Sequence, residues 1–353
     1  MPDSSPSTFR GFAPRYAAVL RCPEDNGELQ VESSDRPFDQ PIFTGGLSCK
    51  TCRRVYPIDE GILRFFEAKD LPEEARHELN WRDQQGEDSV EQNRLFETKL
   101  ASRLEIPQHV AAMKLDSKSI VLELACGRGR FTVHFLKVCK AIVAVDFSLS
   151  SLRFLARRVA ADADICLVQA DITRLRFKPK YFNRAFSTTP LDSREQRLAM
   201  HHVVSNALAD DGLYVFSTEH YDWRNRLLGN PRVMRYRHQG SLFERMRMGE
   251  VSREAAPYFL EVQARPIQVI LPYLTSPRFR RMTDRGPMYE NLGNVLAAVV
   301  RGLDRVPLLR NFGNIVLIAA KDPIRPAEME KAAEGSKLFR YVYDSLKLPN
   351  TTP

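Results

Sequence analysis

An acidic residue stands in front of a turn of small residues between positions 123 and 129. Glu123 is followed by Ala125, Cys126, Gly127 and Gly129. Small residues let a backbone approach a ligand closely. An apolar run precedes the turn and a helix-like run follows it, so the free N–H groups of a helix N-terminus would lie beside the ligand. The pattern predicts a site for a nucleotide-like cofactor.

The residues of this turn separate two kinds of cofactor. A dinucleotide fingerprint requires G-x-G-x-x-G, whereas here the third glycine is off the pattern and Phe131 stands where close packing is needed. The Glu123 carboxylate would also repel a pyrophosphate. It suits a cationic ligand with hydroxyls and an amino group.

Further polar residues follow the next apolar runs. Asp146 and Phe147 come about twenty residues after the glycines, where an acid at the end of the second strand accepts ribose hydroxyls. Asp171 and Ile172 end the third run, and Thr188 ends the fourth. Ligands bind at the carboxyl ends of parallel strands, so these residues are expected beside the glycine turn.

The order acid–x–small–x–Gly–x–Gly resembles motif I of the class I S-adenosylmethionine (AdoMet) methyltransferases. The resemblance covers about residues 115–320 and implies an AdoMet site in which Asp171 and Ile172 flank the adenine. The segment before the last predicted strand is similar to the C-terminal hairpin of ubiquinone/menaquinone-type methyltransferases. The implied cofactor-binding residues are Glu123, Ala125, Cys126, Gly127, Gly129, Asp146, Phe147, Asp171, Ile172 and Thr188.

The sequence gives weaker evidence for catalytic residues than for the cofactor site. Methyl transfer from a sulfonium depends mainly on alignment of the nucleophile and exclusion of water, and a base is needed only if the nucleophile is protonated. His220, after the fifth predicted strand, is the first candidate base, with a loop histidine of no catalytic role as the alternative. Asp192 is the second candidate.

The segment after the fourth predicted strand limits the acceptor atom. Family members that methylate an exocyclic or amide nitrogen usually carry Asn/Asp-Pro-Pro-Tyr there, and this chain has Thr-Thr-Pro-Leu from Thr188. The Pro-Cys nucleophile of C5-pyrimidine methylation is missing as well. An oxygen, a carbon or a ring nitrogen remains as the acceptor atom.

Two turns near the N-terminus carry candidate metal ligands, Cys22 and Asp25 in one and Cys49 and Cys52 in the other. The pattern resembles the small ribbon of the activator subunit of tRNA-modifying methyltransferases, which implies a structural zinc ion. Asp25 stands in place of the fourth cysteine, and a Cys3Asp set is uncommon for structural zinc. A ribbon held by its own apolar residues, with three spare thiols, stays open as the alternative.

Alternating apolar runs and amphipathic segments predict an α/β fold. We expect a Rossmann-like, doubly wound, mostly parallel sheet with a small N-terminal zinc-ribbon-like β module. Strands are predicted at 121–124, 141–145, 165–170, 184–188, 212–217, 261–271 and 313–320, and helices at 149–159, 196–208, 240–248 and 295–303. The predicted segments are a disordered lead (1–14), the ribbon-like module (15–68), a helical linker or cap (69–110), the methyltransferase domain (111–325) with a substrate lid (221–290), and a C-terminal tail (326–353).

Charge is concentrated in one segment. The net charge is +8, and residues 221–285 contain thirteen arginines, no lysine and six acids. Arginine favours bidentate contacts with carboxylate or phosphate, which predicts an anion-recognising surface. A solvated face whose arginines pair with the acids is the equal alternative.

The remaining composition is that of a globular protein. No apolar run is long enough to span a membrane, and the N-terminus lacks the apolar core of a signal peptide. Six cysteines without an evident disulfide framework favour a reduced, cytoplasmic protein.

Three functions are compatible with these features. The first is an AdoMet-dependent methyltransferase acting on a small anionic or lipid-like metabolite. The second is an RNA methyltransferase that grips phosphate with the ribbon and the arginine-rich lid. The third is a non-catalytic scaffold with an AdoMet fold. The oligomeric state is left open.

Overall fold

The computed structural model describes residues 9–73, 75–80, 83–84, 96–188, 193–227, 229, 231–235, 242–269, 287–306, 309 and 311–325. The strands are β1 (Leu29–Ser34), β2 (Gly45–Cys49), β3 (Val55–Asp59), β4 (Ile62–Arg64), β5 (Ile120–Leu124), β6 (Ala141–Asp146), β7 (Ile165–Gln169), β8 (Phe182–Ser187), β9 (Leu208–Glu219), β10 (Val233–Arg235), β11 (Leu242–Glu244), β12 (Phe259–Ile267) and β13 (Ile315–Pro323). The helices are α1 (Phe96–Met113), α2 (Thr132–Phe135), α3 (Leu149–Ala156), α4 (Arg194–Ala207), α5 (Trp223–Leu227), α6 (Met248–Ala255) and α7 (Pro287–Leu303).

Eleven of the described strands form one sheet in the order β1-β2-β3-β4-β7-β6-β5-β8-β9-β13-β12. Neighbours from β4 to β9 are parallel. The strands outside that block pair antiparallel. The mostly parallel, Rossmann-like fold is as predicted.

The central strands are covered on both faces. Leu122 and Val143 belong to one cluster of buried side chains, and their neighbours Val121 and Ile142 belong to a second. This alternation explains why β5, β6 and β7 read as continuous apolar runs, since a parallel sheet carries elements on both sides.

The N-terminal ribbon continues the main sheet. β4 pairs in parallel with β7, with Leu63 opposite Val168. Ribbon residues such as Tyr16 and Leu47 lie in the same buried cluster as Leu122. A ribbon of this size has little core of its own, and the shared core removes the need for it to be stable alone.

The predicted disordered lead at 1–14 is wrong for its last part. Phe12 exchanges backbone hydrogen bonds with Ile42 at 2.9 and 2.8 Å, and both Phe9 and Phe12 are buried. Burial of their aromatic side chains offsets part of the conformational entropy that the segment loses when it is ordered. Residues 1–8, like the predicted tail at 326–353, lie outside the described part of the chain.

The segment after β9 differs from the predicted lid and from the helix predicted at 240–248. β10 and β11 form a separate hairpin, and the helix that follows is α6, which starts at Met248. β12 is the edge strand of the main sheet, with Ile267 opposite Ile315 of β13. The strand predicted from residue 261 therefore belongs to the sheet, because its backbone groups find partners along β13.

Helix starts follow their side-chain caps. The Ser148 hydroxyl accepts the Ser151 N–H at the start of α3, and Ser193 with Gln196 forms a capping box at the start of α4. None of the helices in the described ranges is both long and apolar enough to cross a membrane.

Candidate functional site

The glycine turn leaves the carboxyl end of β5 in an unusual backbone conformation. Ala125, Gly127 and Gly129 have φ values of 55°, 54° and 77°. Non-glycine residues rarely adopt this region, and its concentration in one turn marks a backbone shaped for a purpose other than stability. The helix that follows, α2, is only four residues long.

The two glycines do different things. A Cβ at Gly127 would meet nothing within 4 Å, so the turn is open there. A Cβ at Gly129 would lie 2.3 Å from Leu155 Cδ1. Gly127 therefore leaves room for a ligand, whereas Gly129 permits close packing of α3 against the turn.

Asp146 ends β6 and holds the turn. Its carboxylate accepts the Gly127 N–H at 2.7 Å and the Ser148 N–H at 2.9 Å. The neighbouring Phe147 ring packs against Phe66, which follows β4, at a centroid distance of 4.9 Å. The end of the ribbon thus reaches the same edge of the sheet.

Glu123 lies beneath the turn and is 2% exposed. Burial, with the nearby charge of Asp146, raises the pKa of its carboxyl to about 8. Its Oε2 has no hydrogen-bond partner within the described part of the chain. A buried acid with a free oxygen next to an open turn fits a ligand that brings a cation and hydrogen-bond donors.

The other predicted cofactor residues lie along the same edge. Cys126 is buried and its burial raises the thiol pKa, so it lines the turn as a small apolar group. Asp171 accepts the Thr173 N–H at 2.8 Å and caps the short helical turn that begins at Ile172. Thr188 follows β8 and is half-buried.

His220 follows β9 at this edge and is buried. Its Nδ1 lies 2.8 Å from the Gly313 carbonyl, which assigns the proton to Nδ1 and leaves Nε2 as the acceptor. Burial lowers the pKa of the ring, against the effect of this hydrogen bond. The second candidate base, Asp192, lies outside the described residues.

The cap helix α1 contacts the turn through residues that the sequence did not mark. Glu105 pairs with Arg130 of the turn. His109 is buried, with Nδ1 2.7 Å from the Glu105 carbonyl and Nε2 2.9 Å from Ser217 Oγ of β9. No spacing rule marks such contacts, because the partners are far apart in the chain.

Asp83 is a further residue near the site that the sequence did not mark. It lies in the predicted linker and accepts the Ser148 hydroxyl and, at 3.2 Å, the Ser150 N–H. It therefore adds a second acceptor at the start of α3, next to Asp146. One acid in a long charged segment gives no signal that would have singled it out.

The four candidate metal ligands come together as predicted. The ligand atoms of Cys22, Asp25, Cys49 and Cys52 all lie within 4.8 Å of one another. Cys22 and Cys52 Sγ are 3.7 Å apart, and Cys49 Sγ is 3.3 Å from Asp25 Oδ1. These separations suit a tetrahedral ion with bonds of about 2.0 to 2.3 Å.

Three of the eight arginines that the structure describes between residues 221 and 285 pair with carboxylates. Arg224 pairs with Asp222, and Arg245 with Glu219. Arg232 lies 2.7 Å from Glu244 and also contacts Glu250. Arg237 and the four arginines at 278–285 fall outside the described residues. The pairing interpretation therefore holds for Arg224, Arg232 and Arg245.

Family comparisons agree with this architecture. Residues 121–212 match the family described as methyltransferase domain, and residues 14–61 match the one described as Trm112p-like protein. The predicted methyltransferase and its ribbon resemblance are thereby confirmed. The search of curated proteins found no match.

Solved structures with similar folds are distant. A putative S-adenosylmethionine dependent methyltransferase from Listeria monocytogenes is 16% identical, with a TM-score of 0.44, over 64% of this chain and 99% of that one. A complex of the Haloferax volcanii Trm112 methyltransferase activator and the putative methyltransferase is 15% identical, with a TM-score of 0.45, over 70% of this chain and 96% of that one. Haemonchus contortus phosphoethanolamine N-methyltransferase 2, in complex with S-adenosyl-L-methionine, is 12% identical, with a TM-score of 0.41. The match covers 65% of this chain and 57% of that chain. The methyltransferase assignment rests on the two family matches and not on these distant structures.

Proposed function

We propose that this AdoMet-dependent methyltransferase acts on an oxygen, carbon or ring nitrogen of a small anionic or lipid-like metabolite. The observations that carry the proposal are the buried Oε2 of Glu123, which has no hydrogen-bond partner among the described residues, and the open side of Gly127 in the turn that follows. Bound AdoMet supplies an electrophilic methyl group on its sulfonium. The chain supplies a rigid turn and an edge of the sheet on which the acceptor can be aligned.

The cofactor roles follow from position and charge. Glu123 suits the cationic amino group, because its buried carboxyl ionises more readily next to a positive charge. Asp146, already an acceptor for the turn, is proposed to accept the ribose hydroxyls. The remaining proposed contacts come from Ala125, Cys126, Gly129, Phe147, Asp171, Ile172 and Thr188.

His220 is the proposed base. Its Nδ1–H is held by the Gly313 carbonyl, which fixes the ring and leaves Nε2 to accept a proton from an acceptor hydroxyl or ring nitrogen. Its lowered pKa keeps the ring neutral, and therefore able to accept a proton, at neutral pH. Asp192 remains the second proposed base.

The pairing of three described arginines with acids of the protein favours a small acceptor over RNA. An RNA-binding surface gains affinity from unpaired cations that displace counterions along the phosphate backbone. Arg224, Arg232 and Arg245 instead have carboxylate partners within the protein. An anionic group of a metabolite would need only one or two of the remaining arginines.

The ribbon is proposed as a structural element that binds one zinc ion through Cys22, Asp25, Cys49 and Cys52. Zinc would cross-link two turns that precede the shared core, and it takes no part in the chemistry. Thiolates bind zinc only when reduced, so a reducing compartment such as the cytoplasm suits this site.

Transfer of labelled methyl from AdoMet tests the proposal. The enzyme is incubated separately with a deproteinised metabolite extract and with total RNA. We expect incorporation into the metabolite fraction only. Incorporation into RNA that falls steeply with salt would establish the RNA alternative. AdoMet binding without incorporation into either fraction would favour the scaffold.

A further inference from the structure

A second unusual backbone position lies at the same edge of the sheet as His220. Gln268 directly follows β12 and has a φ of 68°, in the left-handed region that residues with a side chain rarely adopt. It is fully buried, at 0% exposed. Neither atom of its carboxamide has a hydrogen-bond partner among the described residues. The left-handed backbone of Gln268 destabilises the fold, and so does a buried carboxamide without partners among the described residues.

The surrounding structure holds this conformation in place. The Asp304 carboxylate accepts the N–H groups of Gln268 and Val269, both at 3.1 Å. It also accepts Nε2 of Gln108 from the cap helix at 3.1 Å. The Gln268 carbonyl accepts the Asn314 N–H at 3.3 Å. The backbone of Gln268 is thus fully bonded while its side chain is not.

Strand pairing places Gln268 across β13 from the proposed base. Ile267 lies opposite Ile315, which lies opposite Glu219 on its other side. A Cβ at Gly313 would be 2.4 Å from Ile267 N and O, so the chain segments touch at this point. The carbonyl of the same Gly313 holds His220. The backbone at residues 313–314 therefore lies between Gln268 and His220, because Asn314 hydrogen-bonds to both of their backbones.

Another buried glutamine shows that the fold can satisfy such a group. Gln169 ends β7 and is 2% exposed. Its Oε1 accepts Nε of Arg64 at 3.0 Å, and its Nε2 donates to the Phe147 carbonyl at 3.2 Å. The Gln169 side chain has the partners that a structural amide requires, whereas the Gln268 side chain has none within the described part of the chain.

We propose that the Gln268 carboxamide recognises the methyl acceptor. This inference rests on the proposed function. An amide offers a donor and an acceptor side by side, so it selects a neutral group that presents the complementary pair, as a lactam or a pyrimidinone does. A site built to satisfy both atoms rejects an analogue that lacks one of them, since a buried group is then left unpaired.

Two matched leucine substitutions test the assignment without knowledge of the natural acceptor. Gln268→Leu keeps the size and removes the amide, and Gln169→Leu makes the same change at a bonded site. Thermal unfolding of the free protein should leave the melting temperature unchanged or raised in Gln268→Leu, and lowered in Gln169→Leu. A comparable loss in both variants would mean that Gln268 is structural and would overturn the proposal.

Binding of a model lactam gives the second readout. With S-adenosylhomocysteine present, saturation-transfer NMR compares 2-pyridone with N-methyl-2-pyridone, which lacks the N–H donor. We expect the wild type to prefer 2-pyridone by tenfold or more and Gln268→Leu to lose that preference, with unchanged AdoMet affinity. Equal binding of the two pyridones by the wild type, or a preference that survives in Gln268→Leu, contradicts the inference. Failure of the wild type to bind AdoMet would instead overturn the proposed function.

Discussion

The Asp146 carboxylate accepts the backbone N–H of Gly127 at 2.7 Å, across the ends of β6 and β5. One acid thus fixes the open turn and stands where a ribose is expected. Its second oxygen accepts the Ser148 N–H at the start of α3. Folding and cofactor binding are coupled at this residue, and its variants should show both effects.

Replacement of Asp146 by alanine should weaken AdoMet binding at least tenfold, about 1.4 kcal/mol. It should also lower the melting temperature by a few degrees, because two backbone N–H groups lose their acceptor. Calorimetry and thermal unfolding measure the two effects. Asp116→Ala is the control, since Asp116 accepts the Lys118 N–H in a turn away from the site. Equal AdoMet affinities in the two variants would show that Asp146 does not bind the cofactor.

Glu123→Gln should stabilise the free protein and weaken AdoMet binding. The folded-state pKa of Glu123 is raised to about 8 from an ordinary value of 4.5. The folded carboxyl therefore keeps a proton that the unfolded chain releases, and wild-type stability falls as pH rises between these two values. At pH 7 this lowers the free energy of unfolding of the wild type by about 3 kcal/mol. Denaturant unfolding from pH 5 to 8 checks it, and parallel pH profiles of both proteins would contradict the assigned ionisation.

His220→Asn should lower the rate of methyl transfer by about a hundredfold, the usual contribution of a general base. Asparagine can still donate to the Gly313 carbonyl, so the fold and AdoMet affinity should be retained. Because the pKa of His220 is lowered, the wild-type rate should fall only as the pH drops below the ordinary histidine range. The labelled-methyl assay on metabolite extract measures both. An unchanged rate of methyl transfer in His220→Asn would show that His220 is a loop histidine with no catalytic role.

Purified protein should carry about one zinc ion per chain, as expected for a four-ligand structural site. Cys49→Ser should reduce the zinc content measured by mass spectrometry, whereas Cys139→Ser, outside the cluster, should not. Chelation should lower the melting temperature of the whole molecule, because the ribbon and the central strands share one core. Zinc-free protein with unchanged stability would establish a ribbon held by its apolar residues.

Sequence reasoning found the features that depend on local order. The positions of Glu123, Gly127 and Asp146 follow from apolar runs and the residues that end them, and the ribbon ligands follow from two short turns. What it missed depends on pairing between distant segments. No local pattern shows that Leu63 pairs with Val168.

The different roles of the two glycines were hidden for a similar reason. Gly127 and Gly129 look equivalent in sequence, and only the position of Leu155 on α3 distinguishes an open glycine from a packed one. Likewise, the arginines after β9 gave two equal interpretations. The choice depended on acids such as Glu219, which comes from outside the charged segment.

The proposed AdoMet site depends on the open side of Gly127, and a matched pair of alanine substitutions tests this dependence. Gly127 and Gly229 have φ values of 54° and 65°, and a Cβ at either would meet nothing within 4 Å. Gly127→Ala and Gly229→Ala should therefore lose similar stability, on the order of 1 kcal/mol.

Calorimetric titration with AdoMet then separates the two variants. We expect wild-type affinity in Gly229→Ala and at least a tenfold loss in Gly127→Ala, because the added methyl group of Gly127→Ala occupies the space of the cofactor. Wild-type affinity in Gly127→Ala would show that AdoMet does not bind at this turn.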